Sequence, residues 1–284
     1  MHKQRPTTAV IAVAGWGTRW LPLTKAIEKC MLPIGNRPVV DWVVADCVQA
    51  GITRFVFIVS PEQAQIRQFY SHNVALNMYL NAKGKHDALE ITHQPQYKGV
   101  TFEFVIQDPN GKYGTAAAVA LAAESLVGES TFAVFMGDDF VFRPDGGNEI
   151  ADFIDAWQQS DAPHAMLASE VPKEEAGKYG VISGTEDGKY KEILEKPSAE
   201  AIADFSKTYV NISKYIFDAS MLGRIVNFVD GPVQTAEYYI TDPINAAAAE
   251  GESIYVHPAG GVFLDAGTPE TWLAANNQVA AVQS

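Results

Sequence analysis

Three polar clusters in this chain of 284 residues have the composition to do chemistry. The first is Gly15-Trp16-Gly17-Thr18-Arg19, followed by Lys25 and Lys29. Glycines let the main chain approach a phosphate closely, bare N–H groups donate to it, and Arg and Lys neutralise it. Many glycine turns only join two elements. Three basic residues within eleven positions of an acidic chain, however, favour anion binding. The loop is neither common phosphate fingerprint: a dinucleotide loop needs glycine where Trp20 stands, and no Gly-Lys-Ser/Thr follows. The second cluster is Asp138-Asp139, with Asp265 after the apolar Val262-Phe263-Leu264. Mg²⁺ prefers one or two carboxylates plus substrate phosphate oxygens, so Asp138 and Asp265 could hold it jointly across a cleft. A turn or helix-cap aspartate is the alternative reading of Asp138. The third cluster is Glu195-Lys196-Pro197. Here Lys196 could neutralise a phosphate and Glu195 could accept hydrogen bonds from sugar hydroxyls, although such charge pairs are also common in surface loops. The histidines show no metal-site spacing, and no Ser, His and Asp arrangement suggests a covalent nucleophile.

These clusters need elements to position them. Residues 8–14 are a continuous apolar run, as expected of a buried parallel strand, and the glycine loop follows at its carboxyl end. Pro38 opens a helix that runs to Ala50, with Gly51 as its stop. Residues 54–60 read as a second strand, and Pro61 starts another helix. Residues 71–100 are more polar and fall outside the sheet. Strands follow at 102–107, 131–136 and 164–171, with an Ala-rich helix over 115–126. The stretch 180–194 reads as a hairpin turning about Glu186-Asp187-Gly188. Later strands cover 209–217 and 253–257, and a helix over 268–280 closes the chain, with Thr268 as N-cap and Pro269 in its first turn. Alternation of strand and helix implies βαβ units and a mostly parallel α/β sheet, which the hairpin makes mixed. Ligands of such sheets bind outside the carboxyl ends of strands, where the three clusters fall.

Composition narrows the partners. The formal charge is −13, from 21 basic and 34 acidic residues. Such a surface repels polyanions, so neither nucleic acid nor an acidic membrane is an expected partner. A phosphorylated small molecule would need the local basic residues just described. No apolar run approaches the roughly 20 residues that span a bilayer. Lys3 and Arg5 before residues 9–14 look superficially like a signal peptide, but the run is short and flows into the glycine loop. Cys30 and Cys47 form no metal or redox spacing, and a reducing cytoplasm is the expected home. With no internal repeat or linker, residues 1–284 are expected to form a single domain.

The motifs together resemble the sugar nucleotidyltransferase family. The stretch from Gly15-Trp16-Gly17-Thr18-Arg19-Trp20-Leu21-Pro22-Leu23-Thr24 through Lys29 to Met31-Leu32-Pro33 is similar to its signature loop. Further matches run in order along nearly the whole chain: Gln107 with Gly114-Thr115-Ala116, Gly137-Asp138, Tyr179-Gly180-Val181, Glu195-Lys196-Pro197, Glu237-Tyr238-Tyr239-Ile240-Thr241-Asp242, and Asp265-Ala266-Gly267-Thr268-Pro269. Within the family the bacterial UTP–glucose-1-phosphate uridylyltransferases are most similar, through Val13-Ala14-Gly15, Thr24-Lys25-Ala26-Ile27 and a polar segment that looks like their helical insertion at about 70–98.

The resemblance implies a Rossmann-like three-layer nucleotidyltransferase fold, with a mixed, mostly parallel sheet and a small β-hairpin extension. It implies that Ala14, Gly15, Gly17, Thr18, Gln107, Gly114 and Thr115 bind the nucleotide, with Arg19 and Lys29 at the triphosphate. Asp138 and Asp265 would hold Mg²⁺. Gly180, Glu195, Lys196 and Asn211, in a hairpin region at about 164–218, would bind the sugar phosphate. The implied reaction joins UTP and glucose 1-phosphate in a homodimer or homotetramer. Rival readings are a dTTP/glucose or GTP/mannose transferase, and a non-catalytic sugar-nucleotide-binding regulator. A nicotinamide-dependent oxidoreductase is disfavoured by the missing third glycine. Three departures stand out: Glu28-Lys29-Cys30 where the uridylyltransferase loop usually reads Pro-Lys-Glu, Thr115 where His is typical, and Ser213 where Gly is usual.

Overall fold

The first apolar run forms β1, Thr8–Ala12, at the centre of a nine-stranded sheet. The structure, a computed structural model, describes residues 3–92, 94, 97–184, 190–232 and 235–283. After the glycine loop, a two-residue ladder of β2 (Pro33–Ile34) with β3 (Arg37–Pro38) leads into helix α1, Val39–Gln49, with Pro38 at its N-cap as expected. β4, Arg54–Val59, lies beside β1. The next helix, α2, spans Gln65–Phe69 and so begins four residues after Pro61. The delay is a turn: Gln63 Oε1 accepts the Ser60 N–H at 2.7 Å, and its Nε2 donates to Val13 O at 2.8 Å. Two helices outside the sheet follow, α3 (Val74–Ala82) and α4 (His86–Thr92), then strand β5, Thr101–Ile106. Helix α5, Thr115–Leu121, is shorter than expected, because the chain tightens at Ala122 and Ala123, whose N–H groups bond three residues back.

β6 spans Thr131–Met136, as read from the sequence. β7, Asp139–Phe142, was not expected, nor was helix α6, Glu149–Gln159. β8 (His164–Glu170), a one-turn helix α7 (Lys173–Ala176), β9 (Gly180–Ser183) and β10 (Glu192–Glu195) come next. β9 and β10 pair antiparallel as the hairpin reading required, whereas its turn at Glu186-Asp187-Gly188 lies outside the described residues. β11 (Tyr209–Asp218) leads to α8 (Ala219–Asp230), α9 (Thr241–Ala249), β12 (Ile254–Pro258), β13 (Val262–Asp265) and α10 (Pro269–Gln283). Thr268 Oγ1 accepts the Thr271 N–H at 3.2 Å, an N-cap with Pro269 at the first helical position.

The sheet runs β10-β9-β11-β6-β1-β4-β5, with β8 and then β12 joined through β11. Pairings of β1 with β4 and β6, β4 with β5, and β8 with β12 are parallel; those of β11 and of β10 are antiparallel. All strands except β10 and β11 therefore point one way, giving a mixed, mostly parallel sheet. β1 is buried on both faces, which is why it reads as an unbroken apolar run. Ala9 and Ile11 pack with α1, α6 and α10; Val10 packs with α5, α8 and α9. The result is three layers with a core on each side of the sheet.

Candidate active site

The carboxyl ends of β1 and β6, with Gln107 directly after β5, open onto a cleft of about 570 Å³. Its walls include Ala14, Gly15, Gly17, Thr18, Arg19, Lys29, Gln107, Gly114, Thr115 and Asp138. Ten residues singled out from sequence thus come together, although they span more than a hundred positions of chain. Trp16, Tyr113, Met136, Ser213 and Glu237 complete much of the rim.

The glycine loop holds its shape through one left-handed residue. Gly17 has φ 62° and ψ 42°, and a Cβ there would lie 3.0 Å from Thr24 Cγ2 and 3.1 Å from Lys29 Cβ. Its carbonyl accepts from the Trp20 N–H at 2.9 Å and from Thr24 Oγ1 at 3.0 Å. The Trp20 indole donates to Ala266 O at 2.9 Å and meets Trp272 edge-on. The loop is thereby fastened to the segment that follows β13.

Main-chain bonds join the two segments that carry the carboxylates. Gly137 leaves β6, and Asp138 O accepts the Ala266 N–H at 3.0 Å. Asp265 stands opposite Asp139 in the β7–β13 ladder, its Oδ1 accepting the Gly267 N–H. The Arg19 guanidinium lies over Gly267: a Cβ on that glycine would be 3.2 Å from Arg19 Nη2 and 2.5 Å from Asp265 Oδ1. Lys29 Nζ lies 2.5 Å from Asp138 Oδ2. Burial alone would push the Asp138 carboxyl up, but Lys29, and then Lys214, more than reverse this and hold it below the usual carboxylate range. At Asp139 burial prevails over Lys214, with Asp138 and Asp265 adding to it, and the carboxyl is pushed up to about 7.

Lys214 is a buried charge beside the site that sequence reading missed. It is 1% exposed, pairs with Asp139 and donates to Met136 O at 3.3 Å. A signal was present: Val210, Ile212 and Ile216 share its strand parity and face the core, so a lysine among them needed a buried partner.

On the opposite wall, Gln107 continues from β5, its N–H on Val59 O at 2.8 Å and its Nε2 on Lys112 O at 3.2 Å. Gly114 has φ 120°, and a Cβ there would lie 2.4 Å from Tyr238 O. That contact is part of a seam. Tyr238 N–H donates to Tyr113 O at 2.8 Å, Ala116 N–H donates to Tyr238 O at 2.9 Å, and Ile240 N–H donates to Thr115 Oγ1 at 2.8 Å. The Thr115 hydroxyl therefore accepts a structural hydrogen bond and keeps its proton and a second lone pair to offer a ligand. Thr115 thus serves in the seam while also lining the cleft, where it was expected to meet the nucleotide.

Glu195, Lys196, Gly180, Asn211 and Asp265 do not line this cleft; the first four form a neighbouring wall on β9, β10 and β11. Lys196 has φ 45°, and its N–H donates to Tyr179 O at 3.1 Å. Burial pushes the Glu195 carboxyl up; Lys196 opposes this, while Asp242 and Glu237 reinforce it. Glu237, whose charge is felt at Glu195, also lines the cleft. Asn211 donates to Tyr215 Oη at 2.7 Å and accepts the Ser213 N–H at 3.0 Å. Ser213 itself has φ 53° at an irregularity in the β8–β11 ladder, the conformation glycine adopts most readily.

The two aspartates suit a metal that also takes substrate oxygens. Protein donors occupy Oδ2 of Asp138 and Oδ1 of Asp265, leaving one oxygen on each without a donor among the described residues. No group of three or more His, Cys, Asp or Glu that could cage an ion occurs among the described residues. Two carboxylates with open coordination fit a divalent metal ion that takes its remaining oxygens from substrate phosphates.

A family model described as nucleotidyl transferase matches residues 8–282. A UTP–glucose-1-phosphate uridylyltransferase of Mycoplasma pneumoniae is 30% identical over 274 residues, covering 94% of this chain and 90% of its own. The UTP-bound UGPase from Acinetobacter baumannii superposes with a TM-score of 0.84 at 26% identity, covering 96% of this chain and 93% of that one. A UDP-glucose pyrophosphorylase complexed with UDP-glucose gives a TM-score of 0.79 at 25% identity, covering 97% and 99%.

Proposed function

The chain belongs to the nucleotidyl transferase family, and on that premise we propose that it transfers the uridylyl group of UTP to glucose 1-phosphate, giving UDP-glucose and pyrophosphate. The observation that carries this reading is the joining of the Gly15–Lys29 loop, Gln107, Gly114 and Asp138 in one cleft, in a chain similar over nearly its whole length to enzymes of that activity.

In this reaction an oxygen of the sugar phosphate forms a bond to the α-phosphorus of UTP, the bond from that phosphorus to the β-phosphate oxygen breaks, and pyrophosphate carries the electron pair away. Both reactants are anions, so the protein's work is positioning and charge neutralisation rather than covalent catalysis. Ala14, Gly15, Gln107 and Gly114 take the nucleoside, and the Gly17-Thr18 main chain with Arg19 and Lys29 takes the triphosphate. Lys196 neutralises the incoming phosphate, Glu195 accepts from the sugar hydroxyls, and Gly180 and Asn211 complete that wall. Mg²⁺ held by Asp138 and Asp265 would neutralise charge on the phosphate oxygens. The Lys29 ammonium must then move from Asp138 to the phosphates, a short swing because it already lines the cleft.

No helix among the described residues is long and apolar enough to cross a membrane. The reading includes a cytoplasmic enzyme that assembles as a homodimer or homotetramer; light scattering at micromolar concentration tests the assembly, and a monomeric mass would contradict it. Specificity is tested by pyrophosphate release across UTP, dTTP, CTP, GTP and ATP paired with glucose, galactose, mannose and N-acetylglucosamine 1-phosphates. UTP with glucose 1-phosphate is expected to be fastest, and another preferred pair would overturn the assigned substrates.

A further inference from the structure

A second cavity of about 580 Å³ lies on the other side of the glycine loop, between residues 24–29 and the start of α2. At its floor, four hydrogen bonds join these segments. The Glu28 carboxylate accepts the Gln65 N–H at 2.6 Å on one oxygen and the Ile66 N–H at 3.0 Å on the other. Gln65 answers in kind: its Oε1 accepts the Glu28 N–H at 2.9 Å, and its Nε2 donates to Ala26 O at 3.0 Å. The α2 side of this clasp is tied to the sheet, because Gln63 Nε2 donates to Val13 O at the end of β1. The other side leads directly into Lys29, whose ammonium reaches Asp138.

We infer that Glu28 is a positioning residue for Lys29: through the reciprocal clasp with Gln65 it anchors the far end of the glycine loop to the sheet, so that the Lys29 ammonium is held where the triphosphate binds. Capping the first N–H groups of α2 would by itself need only one oxygen of the carboxylate and no return bonds from Gln65. The two-way pattern instead restricts the main chain of residue 28, one bond from the residue that carries the charge. Fixing the main chain removes backbone freedom that the loop would otherwise lose on meeting a phosphate, so that only the lysine's side-chain rotations remain to be restrained. Glu28 was among the departures from the resembling loops, and the clasp gives it a task.

This inference rests on Lys29 meeting the triphosphate. The test is a double-mutant cycle of parent, Glu28→Ala, Lys29→Ala and the pair, each shown to be folded by circular dichroism. Glu28→Ala is expected to raise KM for UTP about five- to tenfold and to leave KM for glucose 1-phosphate within about twofold. In the Lys29→Ala background the same change is expected to add less than about twofold. An equal effect in both backgrounds, or both KM values rising together, would overturn the positioning role. Should Glu28→Ala not fold, Gln65→Ala takes its place, removing the partner side chain while leaving the carboxylate. Calorimetric titration of UTP into the same four proteins reads the coupling without turnover, so an inactive parent would overturn the proposed reaction while the cycle still decides on the clasp.

Discussion

Lys29 and Asp138, separated by 109 positions in sequence, meet at 2.5 Å across the mouth of the cleft. Their contact joins the two motifs that carry the chemistry, the basic end of the glycine loop and the carboxylate after β6. It also accounts for the ionised state of a carboxyl that burial alone would push up. The contact thus pairs a carboxylate held in its charged form with the lysine that, in the proposed reaction, meets the phosphates.

Asp138→Asn tests the carboxylate. Asparagine is nearly isosteric but uncharged, so the fold should persist while metal-dependent turnover falls by about 10²-fold or more. Initial rates of pyrophosphate release against Mg²⁺ concentration measure this. Activity within a few-fold of the parent would remove Asp138 from the metal site.

Gly114→Ala tests the seam between residues 113–116 and 238–240. The added Cβ would collide with the Tyr238 carbonyl, and φ 120° is unfavourable for any side chain. A loss of roughly 2–4 kcal/mol is expected in urea denaturation. A change under about 0.5 kcal/mol would mean that the seam yields freely.

Much of this arrangement was legible before the structure. β1, β4 and β6 are buried on both faces and read as apolar runs, and the charged residues that follow them mark strand ends. β7 and β13 were not legible as a pair, because their ladder joins two four-residue segments more than a hundred positions apart. The Glu28–Gln65 clasp and the Thr115–Ile240 bond are side-chain contacts between distant segments, which no local pattern encodes. Glu195 and Lys196 were read as site residues, but their separation from the nucleotide cleft follows from the geometry of β9, β10 and β11 alone.

Asp46 on α1 gives a pH dependence of stability. Burial pushes its carboxyl up to about 7, opposed by Arg37 and reinforced by Glu149. The folded chain therefore binds this proton more tightly than the unfolded chain. Its stabilising contribution is full below the unfolded value near 3.8 and is lost as pH rises through about 7. Asp46→Asn should match the parent at pH 4.5 and exceed it at pH 8 by roughly 1–2 kcal/mol, allowing for solvent screening. Urea midpoints at the two pH values measure the gap, and one no larger at pH 8 would contradict the burial of this carboxyl.

The most direct measurement is phosphorus NMR of UTP and glucose 1-phosphate incubated with the protein, with and without Mg²⁺. The account predicts UDP-glucose and pyrophosphate appearing one for one when Mg²⁺ is present, and neither when it is absent. Folded protein that yields no sugar nucleotide, or that releases pyrophosphate without forming one, would contradict it.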